Sequence, residues 1–349
     1  MPSVPQAKLT VVAEFGEKFF LENLAVRADG SMLITVANRK EVWFVPAPDG
    51  QLPVKPVLVH TFEFMLGFVV EWRPDRFLIG VTDVYESKVG RLYELALAGW
   101  TPDNPVAPRF LLEFPEPRAG LNGGCMIAPN ILLAAGFADQ IWRVDLGEDA
   151  SASARLWLRH DNMKNRPGHT KPEQPGSNGV QIDRKGGYVY YTSTSQQMMM
   201  RVKLDPATHD PAALPEFVAG GREWDDFLID EDAGVAYVTT HRENTIDRVR
   251  LAHDGNREGR TVIAGNPFND KLVGPSAGAR GRSPEDKGRI AFFTSDGGTV
   301  APPPDGKVRT AKVLRVELPP MAAKVLFDEL PHRPSQRTKR QSIDVINEL

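Results

Sequence analysis

Glu22, Asn122, Asn178 and Asp225 are the residues whose types and spacing in this sequence best suit a chemical site. All four bring side-chain oxygens, two as carboxylates and two as amides. Oxygen-only sets of this kind suit hard cations. Ca2+ is the natural occupant, and Mg2+, Mn2+ or Zn2+ fit less well because no His or Cys stands among the candidates. Carboxylates and amide oxygens that converge in a narrow space repel one another and stay poorly paired unless a cation sits between them. A cation so held polarises a carbonyl, and a carboxylate beside it takes a proton from water. Asn and Asp also begin strands simply because they suit the preceding turn, so the chemistry depends on elements that bring the four together.

Those elements repeat. A strand, a polar turn, a stronger strand, a loop and a third strand occur in that order six times, beginning at Glu22, Phe68, Asn122, Asn178, Asp225 and Ser276. The shortest step, from 22 to 68, is 46 residues and the longest, from 122 to 178, is 56, which suits a four-stranded propeller blade. Short β-branched or aromatic runs supply a fourth strand in each gap, at 56–63, 109–114, 154–159, 216–219, 261–264 and 324–328. A seventh run, 8–14, precedes the first copy and is expected as an outer strand of the last blade, clasping the chain ends together. No amphipathic helix is expected outside 342–349, which argues against parallel α/β architectures. The predicted fold is therefore all-β, one six-bladed β-propeller domain over residues 1–349 with a C-terminal tail at 331–349.

In such a ring the innermost strands run down the central channel from its upper face, so each residue that starts a copy stands at the upper mouth. Loops between second and third strands lie on the same face. Tyr85, Phe137, Gln196 and His241 fall in those loops and are expected to line a substrate pocket; His241 also exchanges protons near neutral pH. The long loops 160–176 and 297–309 belong to this face and are expected as rims or lids.

The inner-strand segments Leu21-Glu22-Asn23, Gly120-Leu121-Asn122-Gly123, Ser177-Asn178-Gly179-Val180 and Trp224-Asp225-Asp226-Phe227 resemble those of the regucalcin, gluconolactonase and luciferin-regenerating-enzyme superfamily. The resemblance implies a six-bladed propeller in which Glu22, Asn178 and Asp225 hold the metal. It also implies that Asn122 binds water or substrate and that Asp225 is the general base. Ile141-Trp142-Arg143-Val144-Asp145, the segment 225–230 and Thr240-His241-Arg242-Glu243-Asn244 are similar to a narrower branch, often encoded in fungal secondary-metabolite clusters. Some members of that branch resemble hetero-Diels–Alderases.

Bulk properties narrow the field. Of 349 residues 41% are hydrophobic and 25% charged, the balance of a globular chain. A formal net charge of −3 leaves no basic excess for phosphates, so nucleic acid is not an expected partner. Cys125 is the only cysteine, which rules out an intrachain disulfide and a thiolate metal cluster. Neither a signal-length apolar run at 1–8 nor a membrane-spanning run occurs, so the expectation is a cytoplasmic protein, or a secreted one from which a signal has been removed. Gly274-Pro275-Ser276-Ala277-Gly278 matches the G-x-S-x-G pattern but opens a β repeat instead of a strand-to-helix turn. Asp230-Glu231-Asp232 reads as a turn and Met198-Met199-Met200 as packing between blades.

Three functions remain: a metal-dependent hydrolase of a lactone or ester small molecule, a hetero-Diels–Alderase or related cyclase or isomerase, and a ligand- or protein-binding propeller without turnover.

Overall fold

The computed structural model describes residues 6–48, 50–115, 120–149, 151–169, 175–251, 259–268, 270–286 and 288–320. Strand β1 (Lys8–Glu17) comes first. The first blade then consists of β2 (Leu21–Val26), β3 (Met32–Val36), β4 (Glu41–Val45) and β5 (Val57–Thr61). The second holds β6 (Met65–Arg73), β7 (Arg76–Thr82), β8 (Gly90–Ala96) and β9 (Arg109–Glu113), and the third β10 (Leu121–Ala128), β11 (Ile131–Gly136), β12 (Gln140–Leu146) and β13 (Ala152–Arg159). The fourth is β14 (Ser177–Asp183), β15 (Tyr188–Ser193), β16 (Met198–Lys203) and β17 (Glu216–Gly220). The fifth is β18 (Phe227–Asp230), β19 (Val235–Thr240), β20 (Thr245–Arg250) and β21 (Arg260–Gly265). In the last blade β22 (Pro275–Arg280), β23 (Ile290–Ser295) and β24 (Thr310–Glu317) are completed by β1, so the sheet runs β1-β24-β23-β22.

Each sheet is antiparallel and four-stranded, and the innermost strands β2, β6, β10, β14, β18 and β22 touch their neighbours in cyclic order. The expected six-bladed propeller is therefore present, and β1 closes the ring as a partner of β24 from Lys8↔Glu317 to Glu17↔Thr310. The chain divides into the unit Met1–Pro319 and a second, Pro320–Leu349. The fourth strand expected at 324–328, the tail and the helix at 342–349 lie outside the described residues. No helix among the described residues is long and apolar enough to cross a membrane.

Short turns make the hairpins. Gly30 and Gly234 end the turns after β2 and β18 with φ of 86° and 63°, a backbone region that side chains with a Cβ rarely adopt. The second strand of each blade is buried on both faces, and six apolar clusters fill the wedges between adjacent blades. Met199 and Met200 sit in two such wedges, as the sequence indicates.

The inner strands are not regular. Pairing with the second strand slips between Leu21 and Asn23, Leu66 and Val69, Leu121 and Gly124, Ser177 and Val180, and Pro275 and Gly278. Such bulges bend a strand and re-aim its side chains. Glu22, Asn122 and Asn178 all sit in them. A bulge frees backbone groups, and threonines of the second strands satisfy them. Thr35 Oγ1 accepts from Asn23 N–H at 3.0 Å, Thr192 Oγ1 from Gly179 N–H at 2.9 Å and Thr294 Oγ1 from Ala277 N–H at 3.1 Å.

Candidate functional site

A cavity of about 780 Å³ opens at one mouth of the channel. Glu22, Asn122, Asn178 and Asp225, each from a different blade, all line it. Phe68 and Ser276 do not. Phe68 is fully buried in the wedge between the second and third blades. Ser276 Oγ donates to the Leu21 carbonyl across the ring closure and lies 2.9 Å from Thr294 Oγ1, which gives it a structural task and no route to nucleophilic use. Tyr85, Phe137 and His241 line the cavity as expected of their loops. Gln196 is a correction: its side-chain amide donates to the carbonyls of Asp161 and Lys164, so it ties down its neighbouring loop and is absent from the cavity wall.

The oxygen cluster is ordered by hydrogen bonds. Asn178 Nδ2 donates to Thr194 Oγ1 at 2.9 Å and to Asp225 Oδ1 at 2.7 Å, and Thr194 Oγ1 donates in turn to the Trp224 carbonyl at 2.7 Å. Both amide hydrogens are thus engaged, and Asn178 Oδ1 is left buried with no partner. Glu22 Oε2 is likewise buried and unpartnered. Two orphaned acceptors beside a carboxylate ask for a donor or a cation.

Electrostatics point the same way. Burial, then the fields of Asp225, Asp226 and Asp296, hold the Glu22 carboxyl well above its ordinary range. Burial pushes Asp225 up to about 6, although His241 and the Asn178 amide favour its charge. Asp226 is raised by burial to about 7; its Oδ2 accepts from Asn23 Nδ2 at 2.8 Å. Among the described residues no group of three or more His, Cys, Asp and Glu side chains is arranged to hold a metal ion. The set assembled here is instead mixed, two carboxylates and an amide oxygen, which fits a hard cation such as Ca2+ and not a soft one.

Sequence reasoning missed Asn23, Asp226, Thr194 and Asp296. The repeat held a usable signal for the last two. Thr194, His241 and Asp296 each follow directly on the second strand of their blade, so they occupy equivalent places on the same face. Asp296 is fully buried, and its Oδ2 lies 3.1 Å from His241 Nε2, at ion-pair distance though outside good hydrogen-bond alignment. Burial disfavours the charged imidazole, but the contact and field of Asp296, with the field of Asp225, outweigh it and lift the His241 pKa.

No family model matches the chain, and no curated protein does. Among solved structures it is similar to luciferin-regenerating enzyme, with 15% identity and a TM-score of 0.67 over 89% of this chain and 95% of that one. The calcium-binding protein regucalcin from Agrobacterium tumefaciens str. C58 matches with 16% identity and a TM-score of 0.59 over 91% and 97%. The PQQ-bound aldose sugar dehydrogenase from Streptomyces coelicolor matches with 12% identity and a TM-score of 0.57 over 90% and 99%. At these identities the likeness is one of fold.

Proposed function

We propose that this propeller is a metal-dependent hydrolase that opens a lactone or ester of a small molecule in the channel mouth. The observation that carries the reading is the pair of buried, unpartnered acceptors Glu22 Oε2 and Asn178 Oδ1 beside Asp225. Glu22, Asn178 and Asp225 would hold Ca2+, and the calcium-binding regucalcin of the same fold supports the choice of ion. When bound, the ion supplies positive charge that offsets the carboxylates and polarises a carbonyl.

The remaining work falls to the chain. The Asn178 amide fixes Asp225 through Oδ1, so Asp225 is oriented to take a proton from the attacking water. Asn122 orients substrate oxygens with its amide. Phe20, Leu66, Val84 and Phe137 provide apolar wall that shelters the non-reacting part of the substrate from water.

A lactone and ester panel, assayed with and without chelator, tests this. Hydrolysis should fall by about 10²-fold or more on metal removal or in Asp225→Ala, and return when Ca2+ is added back to the wild-type protein. Hydrolysis that survives both treatments overturns the reading.

One observation favours a second reading, a hetero-Diels–Alderase or related cyclase. Phe20, Tyr85 and Phe137 give the cavity aromatic walls suited to holding two reacting ends together. Under that reading Phe137→Ala reduces turnover more than Glu22→Gln does.

A further inference from the structure

The site so far has a base but no acid, and opening an ester needs both. Proton removal from water creates the nucleophile, while the departing oxygen must receive a proton unless it is a weak base. His241 is the titratable side chain on the cavity wall whose surroundings suit that second task. It is 8% exposed, and its ring is 5.5 Å from Phe20.

We propose that His241 protonates the oxygen that departs when the ester bond opens, and that Asp296 is the buried positioning residue that aims its ring. The proposal rests on the hydrolase reading.

Asp296 is tied to its own turn as well as to the imidazole. Its Oδ1 accepts from Gly298 N–H at 2.7 Å and its Oδ2 from Val300 N–H at 3.0 Å. The turn it organises presents Thr299 and Val300 to the cavity. A carboxylate fixed by two backbone amides is a rigid reference for the ring it faces. With Asp296 Oδ2 lying 3.1 Å from Nε2, Nδ1 is the nitrogen turned to substrate in this proposal. Burial, and to a lesser degree Arg242, oppose the imidazolium, while Asp296 and Asp225 favour it. Their sum keeps the acid form present to higher pH than for a free histidine.

The step balances without a further reactant. The water oxygen bonds to the carbonyl carbon as its proton passes to Asp225. The ester C–O bond breaks, its electron pair goes to the alkoxy oxygen, and that oxygen takes the proton from His241 Nδ1. Acid and alcohol leave, and transfer of the proton from Asp225 to His241 resets both groups.

Leaving-group dependence tests the assignment, because nitrophenolate departs without protonation and an alkoxide does not. For His241→Gln, kcat on an alkyl ester or lactone should fall by about 10²-fold or more, while the loss on the matching nitrophenyl ester shrinks to a few-fold. Asp296→Asn should show the same selective loss in kcat, with KM little changed and the alkaline limb of the pH profile moved to lower pH. Independently of turnover, the His241 pKa read by NMR should drop in Asp296→Asn. Equal losses on both esters, or an unmoved His241 pKa, overturn this proposal and leave the hydrolase reading standing. A wild-type protein that cleaves neither ester overturns the hydrolase reading, and the proposal with it.

Discussion

Glu22 feels the fields of Asp225, Asp226 and Asp296, and the pKa values of Glu22, Asp225 and Asp226 are raised chiefly by burial. A carboxyl whose folded pKa exceeds its unfolded one binds its proton more tightly in the fold. Its contribution to stability is full at low pH and is lost as pH rises through the folded value. For Asp225 and Asp226 the loss begins in the ordinary carboxyl range and is complete above about 6 and about 7. The metal-free protein should therefore melt at a lower temperature at pH 8 than at pH 5. Added Ca2+ should raise the melting temperature more at pH 8, since protons no longer compete for the oxygens. At about 100 times its Kd the ion contributes about 2.7 kcal/mol. Glu22→Gln should stabilise the metal-free protein at pH 8 and abolish the calcium shift. Thermal melts in chelator and in Ca2+ decide this, and a calcium shift that does not change with pH counts against the site.

Bulges and the threonines that complete them place these side chains. Thr192 Oγ1 accepts from Gly179 N–H and donates to the Asp225 carbonyl at 2.6 Å, so one hydroxyl joins the two blades that bring Asn178 and Asp225 together. Thr192→Val should cost about 1–3 kcal/mol in urea unfolding, because it leaves two buried backbone groups unpaired. Close approach of neighbouring inner strands matters as much. A Cβ on Gly123 would lie 2.6 Å from the Asn178 carbonyl oxygen and 3.0 Å from Gly179 Cα, both backbone atoms that cannot turn aside. Gly123→Ala should therefore displace β14 and weaken Ca2+ binding by about tenfold or more. Calorimetric titration measures it, and unchanged affinity would show that the bulge tolerates the shift.

The whole ring depends on β1, whose Val12, Ala13 and Phe15 are buried in the wedge between the last and first blades. Burying a Val or Phe side chain is worth about 1.5–3 kcal/mol, and net stability is about 5–15 kcal/mol. A chain beginning at Lys18 should thus lose several kcal/mol in urea unfolding and recover part of it when a peptide of residues 6–17 is added. A midpoint unchanged by the truncation would contradict closure by β1. That strand was legible in the sequence, as were six repeats and their four carboxylate or amide starters, because alternating apolar residues and turn glycines act locally. Side-chain direction was not. Ser276 holds the same place in the repeat as Glu22, yet turns across the closure; in the second blade that place belongs to Gly67, and Phe68, one residue further on, turns into a wedge; Gln196 turns back onto its own loop. Asp296 escaped notice because its partner His241 lies 55 residues away in a different blade, and only the bent ring sets the two 3.1 Å apart. Local sequence thus determined which strands form and in what order. Closure of the circle, which sums small bends over all six blades, decided which side chains meet.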